Sequence, residues 1–181
     1  NMRISLLVHL LQNEKSGLVM VFCNTRRGVD FVVKNLRASK IKAIAIHGGL
    51  SQNKRTQTIE SFNDAKVDVL VCTDVASRGL DIDNVSHIYN YDIPKDAKDY
   101  VHRIGRTARA GEEGKVINLL ADIDHDNFSR ILKEYTFKIE NLERPYFEKI
   151  TFAESDNRRS FFNKRSFNRK QFIRRRKWKE Q

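Results

Sequence analysis

Cysteine is scarce: Cys23 and Cys72 are the only two in 181 residues, and each lies in an apolar run, VMVFCN and VDVLVC. Two cysteines cannot frame a disulfide scaffold or a four-ligand zinc site, and a lone thiol in such a run behaves as a small core hydrophobe. The sequence is therefore read with no metal site and no redox role. Long apolar runs are missing as well. No stretch approaches the ~20 residues needed to cross a bilayer, and Asn1-Met2-Arg3 leads into a mixed segment, not a signal-type apolar run. The expectation is a cytoplasmic chain, neither membrane-spanning nor secreted. Its length suits one domain with a sizeable core and room for an appendage.

What the sequence does have is positive charge, unevenly placed. The formal net charge is +11, yet residues 158–181 carry 11 Lys/Arg against the single acid Glu180, so +10 sits in this tail and +1 in residues 1–157. The tail, RRSFFNKRSFNRKQFIRRRKWKEQ, has neither Gly nor Pro. It sets Phe161, Phe162 and Trp178 among Arg158, Arg159, Lys164, Arg165, Arg169, Arg174, Arg175 and Arg176. That charge density prevents it from burying a core, so it is expected to be disordered or weakly helical when free. Cations facing phosphates and rings stacking on bases make a sequence-tolerant grip on RNA. A solvated solubility tail is the plainer reading; a membrane-surface helix is disfavoured because the rings do not share one helical face.

Residues 1–157 alternate helical and strand signals. Helices are predicted over Arg3–Glu14, from a Thr25 cap to about Ser39, from a Ser51 cap to about Phe62, over Asp96–Ile104 and over Asp122–Tyr135. Short apolar, β-branched runs predict strands at Leu18–Cys23, Ile41–Ile46, Val67–Cys72, Val85–Tyr91 and Lys115–Leu120. Strand, helix, strand at this spacing means βαβ units, hence an α/β fold with a mostly parallel sheet covered by helices on both faces. Ligands of such sheets gather beyond the carboxyl ends of the strands.

Three strand-exit segments are unusual there. His47-Gly48-Gly49 precedes a helix whose first turn carries Gln52 and Arg55 and whose free N–H groups suit a phosphate, although a tight turn alone would read the same. In TDVASRGLDID, Thr73 and Asp74 end a strand, and Arg78, Gly79 and Asp81 crowd the following loop. An acid and a guanidinium beside a flexible glycine suit a ribose diol and a phosphate, or an internal Arg–Asp pair. In YVHRIGRTARAG, Arg103, Arg106 and Arg109 recur every third residue beside His102. Such a cluster repels itself unless an anion or acidic partner faces it, which makes it the best candidate for phosphoryl chemistry, with a solvated basic loop as the alternative.

VFCNTR, SQNKR, TDVASRGLDI and HRIGRTARAG, in that order, resemble motif IV, the QxxR motif, motif V and motif VI of DEAD-box RNA helicases. The likeness covers about Leu18 to Leu120 and implies the second, C-terminal RecA-like domain of such an enzyme. Residues 1–145 would form that domain, 146–157 a linker and 158–181 an RNA-binding tail. By the resemblance, Arg106 and Arg109 match arginine fingers for the γ-phosphate of ATP. The ATP and its Mg2+ would be held mainly by an N-terminal RecA-like domain. Asp81, with Gly79 beside it, matches the ribose contact. His102 and Arg103 match residues that couple the two domains; Arg78 either joins them or touches RNA. Thr25, Gly48, Gln52, Arg55 and Thr73 match positions that hold the RNA backbone, contacts that carry no base information.

The chain departs from the pattern in three respects. Ala108 stands where motif VI commonly has Gly, and Ser77 where Ala is common. More consequentially, no GxxxxGK[ST] loop and no DEAD tetrapeptide occur; Gly114-Lys115-Val116 lacks both the hydroxyl and the spacing. The chain by itself is therefore expected not to hydrolyse ATP and reads as an excised part of a longer motor. A non-catalytic RNA-binding module on the same scaffold is the rival reading. A DNA helicase is disfavoured by the HRIGRTAR wording.

Overall fold

The computed structural model describes residues 2–14, 16–80, 82, 85–107, 114–137 and 139–151. Asp81, Ala108, Arg109 and the tail 158–181 lie outside the described residues. The order of elements is α1 (Met2–Asn13), β1 (Leu18–Phe22), α2 (Arg26–Ala38), β2 (Ala43–Ile46), α3 (Gln52–Asn63), β3 (Val69–Cys72), α4 (Asp74–Ser77), β4 (Val85–Asn90), α5 (Ala97–Ile104), β5 (Lys115–Asn118), a 3-10 turn (Asp122–Asp124) and α6 (His125–Glu134).

The five strands form one sheet in the order β2-β3-β1-β4-β5, every pairing parallel. Strand pleating sends alternate residues to opposite faces. Val19, Val21, Val69, Val71 and Tyr89 meet α1 and α2 through Ile4, Leu7, Val29, Val32 and Leu36. Met20, Phe22, Leu70, Cys72 and Ile88 meet Ile46, Phe62, Ala76 and Ile82 on the other face. Each of the Val, Leu, Ile, Phe and Met side chains among these, once fully buried, contributes roughly 1.5–3 kcal/mol. A third cluster seats α5 on α6 through Ala97, Tyr100, Phe128 and Ile131. Both cysteines are buried strand-end hydrophobes, as their apolar runs suggest.

Three differences from the sequence-based expectation have local causes. β2 and β3 start two residues later than the apolar runs do. Lys40 and Ala65 take positive φ (63° and 52°), and the N–H groups of Ile41 and Lys66 turn back to Leu36 and Ser61 carbonyls. These are Schellman-type helix ends, so Ile41 closes a helix instead of pairing in the sheet. The segment after β3 is not open loop: Ala76 and Ser77 N–H bond the Thr73 carbonyl and Arg78 N–H that of Asp74, making the single turn α4. The last predicted helix divides into the 3-10 turn and α6.

α1 runs against the strands. Its first turn places Arg3 against Asp92, just beyond β4, and against Asp124 (3.0 and 2.6 Å). Beyond its last turn, Glu14 bonds Lys115 at the start of β5 (2.6 Å). Beyond α6 the described chain has no regular element and returns across α1, where the Ile150 N–H donates to Ser5 Oγ (3.1 Å). Among the described residues no helix is long and apolar enough to cross a membrane.

Candidate functional site

The connection from β1 leaves toward β2 and that from β4 toward β5, so a crevice opens at the carboxyl ends of these two neighbours, where ligands of parallel sheets bind. Its floor is built on Arg103. Only 1% exposed, Arg103 reaches back from the last turn of α5 beneath three strand exits. Nε and Nη2 bond both Asp74 carboxylate oxygens (2.6 and 2.8 Å), and Nη2 also bonds Asn24 Oδ1 (2.9 Å). Nη1 bonds Asn90 Oδ1 (3.0 Å) and the Asp92 carbonyl (2.5 Å). All five guanidinium N–H groups are satisfied inside the chain, and Phe22 lies under the cation at 5.1 Å. Asn24 ties the same exits further: its N–H bonds Asp92 Oδ2 (3.0 Å) and its amide the Ile93 carbonyl (2.8 Å). Asn90 continues the network to Asn118 and thence to the Tyr100 hydroxyl.

The other described basic residues of this segment are less buried. His102 is exposed. Arg106 is half-buried, and its Nη1 donates to the Leu80 carbonyl (3.0 Å), which sits between Gly79 and Asp81. Arg78, with its side chain 54% exposed, pairs with Asp99 of α5. Gly79 has φ +71° with open space where a Cβ would stand, so backbone conformation, not crowding, demands glycine there. Thr107 holds the end of this arginine segment, its hydroxyl donating to the Val85 carbonyl (2.6 Å).

The remaining candidates line the exits of β1, β2 and β3. Thr25 caps α2, its hydroxyl oxygen accepting from the Gly28 N–H (3.0 Å), which leaves its own proton to donate. At the β2 exit, His47 Nδ1 accepts from the Gly49 N–H (3.1 Å) while Nε2 meets Asp30 Oδ1 (3.1 Å). That network assigns the ring proton to Nε2. Space is tight at both glycines: a Cβ on Gly49 would stand 3.0 Å from His47 Nδ1, and one on Gly48 3.3 Å from Nη2 of the exposed Arg26, which can move aside. Ser51 caps α3, Gln52 is exposed, and Arg55 reaches across to the Ala76 carbonyl of α4 (3.4 Å) with its Nε buried and unpartnered. Thr73 is half-buried at the start of α4, followed by Val75 at 76% exposure.

The structure brings the described candidates to one edge of the sheet; sequence reasoning missed Asn24, which lies inside VFCNTR, and Asp30 and Asn90, which lie outside the quoted motifs. It also gave no sign that Arg103, unlike Arg106, is fully buried. Burial pushes the Cys23 and Cys72 thiols well up, outweighing the opposing charge of Arg103, so these crevice-side sulfurs stay protonated.

The family described as helicase conserved C-terminal domain matches residues 2–111. The ATP-dependent RNA helicase CshA of Listeria monocytogenes serovar 1/2a is 44% identical over 144 residues, covering 79% of this chain and 28% of that protein. The chain therefore spans little more than a quarter of that relative's length. Among solved structures, the E. coli DEAD-box protein SrmB, bound to the regulator of ribonuclease activity A, superposes with TM-score 0.74 at 36% identity, covering 82% of this chain and 90% of that one. A DEAD box protein from the hyperthermophile Methanococcus jannaschii gives TM-score 0.74 at 38% identity, covering 79% and 39%.

Proposed function

The chain belongs to the helicase conserved C-terminal domain family and is the C-terminal domain of a DEAD-box helicase; from that premise we propose that it is the half of an ATP-dependent RNA motor that supplies arginine fingers and half of the RNA grip. The observation that carries this reading is the division of one sheet edge. Arg106 donates to the Leu80 carbonyl beside Gly79, while Thr25, Gly48, Gln52, Arg55 and Thr73 line the exits of β1, β2 and β3.

In this reading ATP lies between this edge and an N-terminal RecA-like domain, with Asp81 and Gly79 on its ribose. Arg106 leaves the Leu80 carbonyl for the γ-phosphate, joined by Arg109. Exchanging a neutral carbonyl for a phosphate oxygen strengthens the hydrogen bond about twofold, so closure on ATP favours the finger position. A positioned arginine stabilises charge developing on the transferred phosphoryl and contributes about 10³–10⁵ in rate. Arg78 and His102, both exposed at this edge, contact the other domain; Arg103 couples the halves from beneath, by fixing the segments on which the fingers and Thr73 ride. Mg2+ would arrive with ATP on the N-terminal domain. Among the described residues no cluster of three or more His, Cys, Asp or Glu offers it a site. Contacts to phosphate and sugar make RNA binding in the core independent of sequence, and the basic tail adds affinity.

The test combines this chain with an N-terminal RecA-like domain and measures ATP hydrolysis with and without RNA. RNA-stimulated hydrolysis that disappears in Arg106→Ala or Arg109→Ala, with RNA affinity nearly unchanged, supports the motor half. Silence of the wild-type pair with both halves folded favours a non-catalytic RNA-binding module. Stimulation by DNA equal to that by RNA would overturn the substrate class.

A further inference from the structure

The strand β2 ends the order β2-β3-β1-β4-β5, so among the described residues only one of its sides is paired. Which backbone groups face the open side follows from their partners. The Lys42 carbonyl accepts from the Asp68 and Val69 N–H groups on the β3 side, whereas the Ala43 carbonyl accepts from Arg37 Nε (2.7 Å). In a parallel strand each residue turns both its backbone groups to one side and the next residue turns its own to the other. Ala45 therefore points its N–H and carbonyl outward as Ala43 does, and neither group has a partner among the described residues.

A groove of about 330 Å³ lies along this edge, lined by Asp30, Val33, Lys34, Arg37 and Ala45. The four α2 residues recur at spacings of three and four, so they share one face of the helix. The groove is open because Ala43 and Ala45 place only methyl groups on the side of the sheet that α2 covers. Its floor, Val33 and Ala45, is apolar; its rim is charged. Asp30 is occupied by His47 Nε2 (3.1 Å). Arg37 bonds the strand through Nε alone, so its guanidinium is held beside the open edge, and Nη1 and Nη2 meet no acid among the described residues. Lys40 and Lys42, both exposed, add positive charge where β2 begins.

We propose that β2 is a docking edge for an extended acidic segment of a partner protein, which adds a strand to the sheet and sets a carboxylate on Arg37. Strand addition draws affinity from main-chain hydrogen bonds, here to Ala45, and specificity from alternate side chains. A side chain of the added strand on the α2 side lies over Val33 and Ala45. Glutamate fits it, with an apolar stem for the floor and an acid for the Nη groups at the rim. A nucleic-acid phosphate would also suit Arg37, but it would leave the outward Ala45 groups unused; an acidic peptide uses both. Charges on an edge strand can instead serve only to repel other strands. That alternative makes the edge indifferent to the sign and the backbone of a peptide, which is what the experiment varies.

The probes are synthetic peptides of about five residues, a length matched to a short strand: alternating Glu and Val, the same peptide with Lys for Glu, and the Glu/Val peptide N-methylated at alternate backbone nitrogens. Each is titrated into the isotope-labelled 181-residue chain, and the backbone amide signals of Val33, Arg37 and Ala45 are followed by NMR. A site-resolved signal is needed because the cations of residues 158–181 attract any acidic peptide. The Glu/Val peptide should shift these signals and slow hydrogen exchange at Ala45. The Lys/Val and N-methylated peptides should bind this edge about tenfold more weakly or worse. Arg37→Glu should reverse the preference in favour of Lys/Val. Ala45→Pro, which an edge strand tolerates where the missing N–H faces outward, should remove the response to Glu/Val. Thermal unfolding checks both variants, and the N-methylated peptide makes the same test on the wild type if either fails to fold. Equal responses to Glu/Val and Lys/Val, or to the plain and N-methylated backbones, overturn the docking edge. Shifts of these signals by oligouridylate but not by Glu/Val overturn it as well and assign the groove to RNA.

Discussion

Arg103 and Asp74 share two hydrogen bonds, Nε to Oδ1 at 2.6 Å and Nη2 to Oδ2 at 2.8 Å, and so lock the last turn of α5 to the first residue of α4. The geometry is bidentate, which only a guanidinium provides. Removing one partner leaves the other charge buried without compensation, typically a loss of 3–5 kcal/mol. Asp74→Ala should therefore destabilise the chain by about that amount in urea titrations. Arg103→Lys should fail to rescue, because an ammonium cannot serve five acceptors in one plane. A loss below about 1 kcal/mol would mean that the crevice floor tolerates an unpaired cation, against the general expectation.

The His47 ring fastens the β2 exit from both sides, to Asp30 through Nε2 and to the Gly49 N–H through Nδ1. A methyl group on Gly49 would crowd that ring at 3.0 Å, so the ring must give way or the turn must open. Gly49→Ala is expected to weaken RNA binding severalfold while lowering stability by only about 1–2 kcal/mol, the range for a small overpacking strain. Asp30→Asn, which keeps an acceptor for Nε2, should behave nearly as wild type, whereas Asp30→Ala should follow Gly49→Ala. Anisotropy with a labelled RNA strand, set beside thermal unfolding, separates the two effects.

Much of the fold was legible because its signals are local. Thr25 and Ser51 cap their helices, the five apolar runs are five parallel strands, and the strand exits hold the motifs. The less legible features depend on partners far away in sequence. Arg103 and Arg106 look alike on paper; what buries the first is Asp74, 29 positions before it, and Asn24, 79 before it. The docking of the stretch after α6 was illegible for a related reason. That stretch docks through isolated contacts to α1, more than 140 residues upstream at Ile150, and leaves no periodic trace.

Beyond the last turn of α1, Glu14 accepts from Tyr89 and Lys115 beside His87. Burial alone would raise the Glu14 carboxyl, but hydrogen bonds from Lys115 and Tyr89 and the charges of Lys115 and His87 outweigh it and hold it below its ordinary 4.5. Burial depresses His87 below its ordinary 6.5, opposed by Glu14. For both groups the unfolded chain takes up a proton first, so stability falls on acidification. It should start to fall as pH drops below 6.5 through His87, and fall again below 4.5 as Glu14 is protonated. Melting temperatures across pH 4–8 should show both limbs, with His87→Asn losing the upper one and Glu14→Gln the lower.

Cys23 and Cys72 are fully buried, and burial raises both thiols well above the ordinary range, so the reactive thiolate is scarce at neutral pH. Alkylation should therefore track unfolding. The native chain should resist a thiol reagent at pH 8 and become doubly labelled through the same urea range in which its circular dichroism is lost. Labelling of native protein at the rate of a free thiol would contradict the packed strand ends.

Arg106 and Arg103 lie three residues apart on the same segment, yet they should fail in different ways when removed. Arg106 is half-buried and donates to the Leu80 carbonyl, a neutral acceptor, a bond whose net worth is about 1 kcal/mol. Arg106→Ala should change stability by no more than that, while reducing RNA-stimulated ATP hydrolysis in the two-domain protein by about 10³-fold or more. Arg103→Ala should lose both, because the exits that carry Asn24, Asp74 and Asp92 loosen together. Urea titration and single-turnover hydrolysis on the same two variants give four numbers. The assignment stands if Arg106→Ala separates turnover from stability and Arg103→Ala does not. It falls if the two variants lose stability equally, for then Arg106 too would be a structural arginine and the finger would have to be Arg109 alone.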